Sequence, residues 1–179
     1  MKDDIRKEYL IKRSNIKDRN NKDNNIYNKI INLKIYKESK VIALYNSMST
    51  EVDTKKLIEY SLNKQKIVLL PKVINNKMIF VRINNNTKYI KSNFGVEEPI
   101  NVKAYDSKID LMLVPLVVFD ETCNRIGYGK GYYDKYLNNK NINTIGIAYE
   151  EQKYSIIPQE EHDIKLDQII TDKKVYYKK

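Results

Sequence analysis

The stretch of this chain that most constrains its fold is residues 111–137, LMLVPLVVFDETCNRIGYGKGYYDKYL. It opens with an apolar run, residues 111–119, which predicts one strand buried on both faces. Three of the chain's five glycines then stand at alternate positions before YYDKYL, which predicts the first turns of a helix. These glycines are Gly127, Gly129 and Gly131. A strand, a glycine loop and a helix in this order bring backbone N–H groups to one point, so the stretch favours a bound phosphate.

Charged side chains around the glycines strengthen this interpretation. Arg125 and Lys130 can reach phosphate oxygens. The guanidinium of Arg125 offers two parallel N–H donors, and the ammonium of Lys130 acts as a point charge. Asp134 follows one turn later and is a candidate ligand for Mg²⁺. The alternative is an ordinary glycine-rich turn with solvated charges, and the spacing of Arg, Lys and Asp argues against it. The loop is not a Walker A loop, because no Ser or Thr follows Lys130, and it lacks the GxGxxG spacing of dinucleotide sites.

Composition limits the classes of protein that remain. A chain of 179 residues with one cysteine can bury a core without disulfides, which favours a reducing compartment. The N-terminus is charged throughout and no run is long enough to span a membrane, so a cytoplasmic protein without a membrane segment is predicted. The net charge of +10 favours anionic partners. Lys, Asn and Ile are abundant everywhere, without a basic stripe, so nucleic-acid binding is a minor hypothesis.

Alternating strands and helices predict the fold. We expect a single α/β domain over residues 1–179, a three-layer αβα arrangement with a mostly parallel, Rossmann-like sheet. The predicted further strands are 41–45, 67–70 ended by Pro71, 78–83, 144–149, 167–171 and 175–177. The predicted further helices are 2–19, 26–37 and one that follows Asp53 as N-cap, with a loop at 20–25 and a turn at 93–99.

Two other places offer candidate site residues. Lys2 and Arg6 are four residues apart, so they share one face of the first helix and can close over an anion. Asn46 and Glu51 follow the strand 41–45, at the sheet edge where open α/β folds place their ligands. Spacing alone favours an ordinary surface acid at Glu51. A lone surface residue is likewise the simpler interpretation of His162, the one histidine.

In the order and sequence of these motifs, the chain resembles the 5-formyltetrahydrofolate cyclo-ligase family. The most specific match is VPLVVFDETCNRIGYGKGYYDKYL, and lesser matches follow in the same order along nearly the whole chain. These lesser matches are KDDIR, SMSTEVDT, LLPK, NFGVEEP and HDIKLDQIIT. Two positions depart from the family pattern, since Leu116 and Cys123 stand where glycine is frequent.

The resemblance implies a set of site residues, position by position. The implied ATP-binding residues are Lys2, Asp3, Asp4, Ile5, Arg6, Arg125, Ile126, Gly127, Tyr128, Gly129, Lys130, Gly131, Tyr132 and Tyr133. The implied folate-binding residues are Asn46, Glu51, Tyr128, Gly129, Lys130, Gly131 and Tyr132. Asp134 and Asp163 match the magnesium ligands, and Lys130 and Arg125 are the expected catalytic groups.

The reaction implied by the resemblance is ATP-dependent closure of 5-formyltetrahydrofolate to 5,10-methenyltetrahydrofolate, with Mg²⁺ as cofactor. The expected partners are these small molecules, and the protein is expected to be a monomer. Three alternatives stay open: a relative that binds ATP and folate without turnover, another nucleotide-dependent enzyme on the same scaffold, and a basic RNA-binding module.

Overall fold

A computed structural model describes residues 1–93, 95–101 and 103–179. Phe94, within the predicted turn 93–99, lies outside the described residues. The helices are α1 (Lys2–Ser14), α2 (Arg19–Asn32), α3 (Lys34–Glu38), α4 (Lys55–Asn63) and α5 (Tyr132–Leu137), with a short 3-10 helix at Glu150–Gln152. The strands are β1 (Val41–Ala43), β2 (Ile67–Ile74), β3 (Lys77–Ile83), β4 (Tyr89–Lys91), β5 (Glu97–Pro99), β6 (Leu111–Val114), β7 (Val118–Phe119), β8 (Arg125–Ile126), β9 (Asn143–Ala148), β10 (Gln168–Thr171) and β11 (Val175–Tyr177).

The central sheet has seven strands in the order β11-β10-β9-β6-β1-β2-β3. The five strands from β10 to β2 are parallel, and the strand at each edge is antiparallel to its neighbour. From β1 the chain continues to β2 on one side, whereas from β6 it continues to β9 on the other side. The strand order therefore reverses between β1 and β6, which is the position where open α/β sheets bind ligands.

Helices cover both faces of this sheet. Alternate strand residues such as Ile42 and Leu113 pack with α2, α3 and α4 on one face. Their neighbours Ala43 and Met112 pack on the other face, with Leu137 of α5. Because successive side chains in a strand point to opposite faces, fully apolar strands such as β1 and β6 need cover on both sides. The arrangement confirms the predicted three-layer α/β fold with a mostly parallel sheet.

The two departures from the family pattern have structural explanations. Cys123 is buried and has a φ of 66°, a left-handed conformation that glycine adopts without strain. Leu116 packs over Gly146 of β9, where an added Cβ would lie 2.7 Å from Leu116 Cδ2. Gly146 therefore leaves the space that the larger residue at position 116 fills.

The prediction that Pro71 ends its strand was wrong, because β2 continues to Ile74. The backbone of Leu69 faces β1, since its carbonyl accepts a hydrogen bond from the N–H of Leu44. The backbone of Pro71, two residues later, faces the same side, where β1 has already ended. A proline is tolerated there because the missing N–H has no partner strand.

The apolar run 111–119 forms two strands, not one. Residues of β6 join the central sheet, whereas β7 pairs with β8 in a separate two-stranded sheet. The chain leaves the central sheet at Pro115, which cannot donate to a ladder. This departure starts the long loop that carries the glycines.

The predicted loop at 20–25 was also wrong, because it forms the first turns of α2. Asparagine has a weak helix propensity, and packing of Ile26 and Ile30 in the core overrides it. Asp53 is not the N-cap of α4, which is Thr54, although Asp53 Oδ1 accepts the Lys55 N–H at 2.8 Å. Among the described residues, no helix is long and apolar enough to cross a membrane.

Candidate active site

A cavity of about 800 Å³ opens at the carboxyl ends of β1 and β6, at the point where the strand order reverses. The glycine loop and α1 form one end of it, and the segment after β1 and the β4-β5 hairpin form the other. The two loops that follow β1 and β6 meet here because parallel strands end at the same edge. This places both predicted groups of site residues around one space.

Helix α1 packs against the glycine loop and carries two cations to the cavity. Arg6 Nε donates a hydrogen bond of 2.7 Å to the carbonyl of Gly127. An added Cβ on Gly129 would lie 3.3 Å from Arg6 Cζ, so the loop and the guanidinium are in close contact. Lys2, one turn earlier, pairs with Asp163 and lies 3.3 Å from Glu160. The predicted shared face of Lys2 and Arg6 therefore does point at this loop.

The glycine loop itself is shaped by two left-handed residues. Gly129 has a φ of 93° and Gly131 a φ of 65°, so side chains at these positions would strain the backbone. Lys130 lies between them and is exposed, with no ion pair among the described residues. Its ammonium is free to move toward an anion in the cavity.

A buried carboxylate, Asp120, braces the segment that leads into the glycine loop. Its Oδ1 accepts hydrogen bonds from the N–H and hydroxyl of Thr122, both at 2.9 Å. Its Oδ2 accepts from the amide of Asn124 at 2.9 Å and from the N–H of Ile157 at 3.1 Å. Burial pushes the pKa of Asp120 up, but these donors outweigh burial and hold the pKa below its usual value.

Arg125 contacts the cavity but already has a carboxylate partner. Its side chain is buried, and one terminal nitrogen lies 2.9 Å from Asp134 Oδ1 and 3.3 Å from the carbonyl of Ile164. The Ile164 N–H also donates to Asp134 Oδ1, at 3.0 Å. The Nε of Arg125 is buried and has no hydrogen-bond partner among the described residues. The pair ties the start of the glycine loop to α5.

Acidic and imidazole groups gather beside α1. Glu160, His162 and Asp163 each offer a ligand atom, and these atoms lie within 4.8 Å of one another. Lys2 is the counter-ion of this group. Burial raises the pKa of Asp163, but hydrogen bonds from Lys2 and the Glu160 N–H leave that pKa below its usual value. Carboxylate oxygens beside a glycine loop suited to phosphate fit a Mg²⁺ ion that also binds phosphate.

Glu51, in the segment that follows β1, lines the cavity and is itself buried. Its Oε1 accepts the hydroxyl hydrogen of Tyr128 at 2.5 Å, and its Oε2 accepts the Met48 N–H at 2.7 Å. Arg13 of α1 lies 3.9 Å from Oε1 and stacks over the Tyr128 ring at 5.5 Å. Burial raises the pKa of the Glu51 carboxyl, and these partners oppose the rise.

The far end of the cavity is mostly apolar. Met48, Val73, Met78 and Val96 line it, together with the carboxylate of Glu98. Asn46 lines it too, and its side-chain amide donates a hydrogen bond of 2.9 Å to the carbonyl of Glu97 on the hairpin. An apolar slot with a few fixed polar groups is typical of a site for a flat organic ring.

Nearly all residues implied by the family resemblance line this cavity. Those that do so are Lys2, Asp3, Arg6, Asn46, Glu51, Arg125, Ile126, Gly127, Tyr128, Gly129, Lys130, Gly131, Tyr132, Tyr133, Asp134 and Asp163. Asp4 and Ile5 are not among the lining residues. Asp4 is exposed and pairs with the N-terminal amine at 3.1 Å, and Ile5 packs in a buried cluster with Val118 and Ile126.

Sequence reasoning missed Arg13 and Glu98. Arg13 continues the buried stripe of Ile5 and Tyr9 at a spacing of four residues, so helical periodicity contained a signal for it. Glu98 comes close to Val73 only through the hairpin, and no local pattern indicates that contact. Glu160 was also missed, although it precedes the predicted Asp163 by three residues.

Comparison with known proteins decides the family. The model of the 5-formyltetrahydrofolate cyclo-ligase family matches residues 1–172. The chain belongs to this family. A 5-formyltetrahydrofolate cyclo-ligase of Haemophilus influenzae is 34% identical over 149 residues, which are 78% of this chain and 80% of that one.

Solved structures of cyclo-ligase relatives have the same fold. The 5,10-methenyltetrahydrofolate synthetase of Aquifex aeolicus superposes with a TM-score of 0.87 at 32% identity, covering 98% of this chain and 92% of that one. The synthetase of Mycoplasma pneumoniae gives a TM-score of 0.73 at 32% identity, covering 96% and 98%. The similarity extends over the residues on both sides of the cavity.

Proposed function

We propose that this cyclo-ligase family member converts 5-formyltetrahydrofolate to 5,10-methenyltetrahydrofolate and uses one ATP, which leaves as ADP and phosphate. The observation that carries the proposal is the two-ended cavity, which has four cations and the candidate metal-binding carboxylates at the glycine loop and an apolar slot with Glu51 and Glu98 at the hairpin. A triphosphate fits the first end by charge, and the two carboxylates would repel it from the second. A folate ring system, flat and rich in N–H groups, fits the second end.

Activation of the formyl group is the chemical task. In the proposed path the formyl oxygen attacks the γ-phosphorus, and the bond from that phosphorus to ADP breaks. N10 then adds to the formyl carbon, loses its proton, and the carbon–oxygen bond breaks to release phosphate. Because ATP supplies the leaving group, no protein nucleophile is required, and the protein contributes alignment and charge.

The cationic residues have distinct parts in this proposal. Lys130, exposed and without an ion-pair partner in the described parts of the chain, would bind the transferred phosphoryl group. Arg6 would support the loop and the nucleotide together, since it already bonds the Gly127 carbonyl. Arg125, paired with Asp134, would act mainly by holding the loop on α5. A preorganised charge that contacts the transferred group, as proposed for Lys130, is worth about 3 kcal/mol in a transition state.

The metal proposed here is Mg²⁺, with Asp134 and Asp163 as its protein ligands and Glu160 close by. When bound, it would neutralise phosphate oxygens and so make the γ-phosphorus easier to attack. Lys2 pairs with Asp163, and Arg125 pairs with Asp134. A cytoplasmic location is part of the proposal, because Cys123 is a free thiol that suits a reducing compartment.

The direct test is to mix purified protein with 5-formyltetrahydrofolate, ATP and Mg²⁺ and to follow the near-ultraviolet absorbance of the methenyl product. We expect absorbance to rise only when all three are present, with one ADP formed per product. Binding of ATP and folate without product would instead identify a catalytically silent relative. Binding of neither, with salt-sensitive RNA affinity, would overturn the proposal in favour of an RNA-binding module.

A further inference from the structure

Glu98 is a cavity carboxylate to which the family resemblance assigns no part. It lies on β5, half-buried, and lines the apolar end of the cavity with Val73 and Val96. Its neighbour Glu97 is exposed and does not line the cavity. Adjacent residues of a strand point to opposite faces, so only the second glutamate of this pair faces the substrate space.

The position of Glu98 follows from the early end of β1. The N–H of Val73 points to the side of β2 that β1 has vacated, as do the backbones of Leu69 and Pro71. β5 packs beside β2 on this side, so Glu98 and Val73 line the cavity together, and the Val73 backbone lowers the pKa of the Glu98 carboxyl. The Lys72 side chain also holds β5 in place, because its Nζ donates a hydrogen bond of 2.6 Å to the carbonyl of Pro99. The carboxylate is therefore held on a defined scaffold.

Toward the residues that the structure describes, Glu98 keeps most of its acceptor capacity. An ionised carboxylate accepts about four hydrogen bonds, and the Val73 N–H offers at most one of them. Glu98 forms no ion pair in the described ranges 1–93, 95–101 and 103–179, since Lys72 is used by backbone carbonyls. Glu51, by contrast, already accepts from Tyr128 and Met48 and faces Arg13. Partial burial raises the pKa of Glu98, and the Lys72 charge and the Val73 backbone oppose this rise without cancelling it.

We propose that Glu98 binds the pyrimidine edge of the folate ring, accepting hydrogen bonds from its adjacent amino and ring N–H groups. This rests on the proposed function and names the residue that orients the pteridine. A carboxylate matches two neighbouring N–H donors with two oxygens, and the apolar residues beside it cover the faces of the ring. An ATP phosphate is excluded from this position by charge.

The test compares Glu98→Gln with Glu97→Gln as the matched control on the same strand. Gln keeps an oxygen for the Val73 N–H, so both variants should unfold near the wild-type temperature. We expect Glu98→Gln to weaken calorimetric binding of 5-formyltetrahydrofolate, measured without ATP, by about 10-fold to 100-fold. The Kd for a non-hydrolysable ATP analogue should stay unchanged, and Glu97→Gln should match the wild type in both.

A folate analogue without the amino group separates direct contact from general damage. Wild-type protein should lose affinity when the amino group is replaced by a methyl group, and Glu98→Gln should lose clearly less. Equal losses in the two proteins, or unchanged folate affinity in Glu98→Gln, would overturn the assignment. If the wild type itself neither binds nor cyclises the folate, the proposed function fails instead, so the two failures are distinguishable.

Discussion

The hydroxyl of Tyr128 donates a 2.5 Å hydrogen bond to Oε1 of Glu51. This bond joins the glycine loop, which follows β6, to the segment that follows β1. Arg13 of α1 lies against both partners, so three separate parts of the chain meet in one polar group. The proposed ATP and folate ends of the cavity are therefore joined through this polar group.

Replacement of Glu51 by Gln should affect folate more than ATP. Gln can still accept from Tyr128 but has no negative charge for the folate ring or for Arg13, so we expect the KM for 5-formyltetrahydrofolate to rise by about tenfold. The KM for ATP should change far less. Steady-state kinetics with each substrate varied in turn measures both, with exposed Glu59→Gln as control. A larger effect on ATP would move Glu51 out of the folate end.

Replacement of Lys130 by Ala should damage turnover without damaging the fold. The exposed ammonium is proposed to bind the transferred phosphoryl group, so kcat should fall by about 100-fold. Its loss should change the free energy of unfolding by less than about 0.5 kcal/mol. Lys135→Ala, an exposed change on the adjacent helix, is the control for each measurement. Full turnover in Lys130→Ala would remove this side chain from the mechanism.

Removal of the Lys2 ammonium should increase the affinity of the protein for a divalent metal ion when no nucleotide is added. Lys2 pairs with Asp163 and lies 3.3 Å from Glu160, so a cation must compete with it. We expect Lys2→Met to bind Mn²⁺ about tenfold more tightly than the wild type, as titrated by electron paramagnetic resonance. Lys7→Met, exposed on the same helix, should behave as the wild type. Identical Mn²⁺ affinity in Lys2→Met would argue against Asp163 as a metal ligand.

Replacement of Asp120 by Asn should destabilise the protein in a pH-dependent way. The buried carboxylate accepts hydrogen bonds from Thr122, Asn124 and Ile157, and its loss should cost about 3 kcal/mol at pH 7. The folded pKa is lowered, so this stability is present above the unfolded pKa of about 3.9 and is lost as the pH falls through the folded pKa.

The measurement is thermal unfolding of both proteins across a pH series. The difference in Tm between wild type and Asp120→Asn should be largest near neutral pH and should narrow in acid. Exposed Asp106→Asn serves as the control and should show a small difference at every pH. A constant gap for Asp120→Asn would mean that hydrogen-bond geometry, and not the carboxylate charge, stabilises this turn.

Local patterns were sufficient for much of the architecture. The apolar runs that became β6 and β9 and the helix at YYDKYL were predicted because their periodicity and flanking glycines are encoded within a few residues. The failures have a common cause. Residues 20–25 are helical because Ile26 packs in the core against distant parts of the chain. The strand continues through Pro71 because β1, which is distant in sequence, ends early.

The features of the site can likewise be separated into those that the local sequence predicted and those that the tertiary structure decided. The sequence by itself was enough to predict that a glycine loop with Arg125, Lys130 and Asp134 follows a buried strand. Its motifs also resembled one family. Only the tertiary structure decided that Arg125 pairs with Asp134, that Lys2 covers Asp163, and that Glu98 faces the cavity. Charged side chains take whichever partner the fold brings within a few ångströms, and that distance is set by packing and not by spacing along the chain.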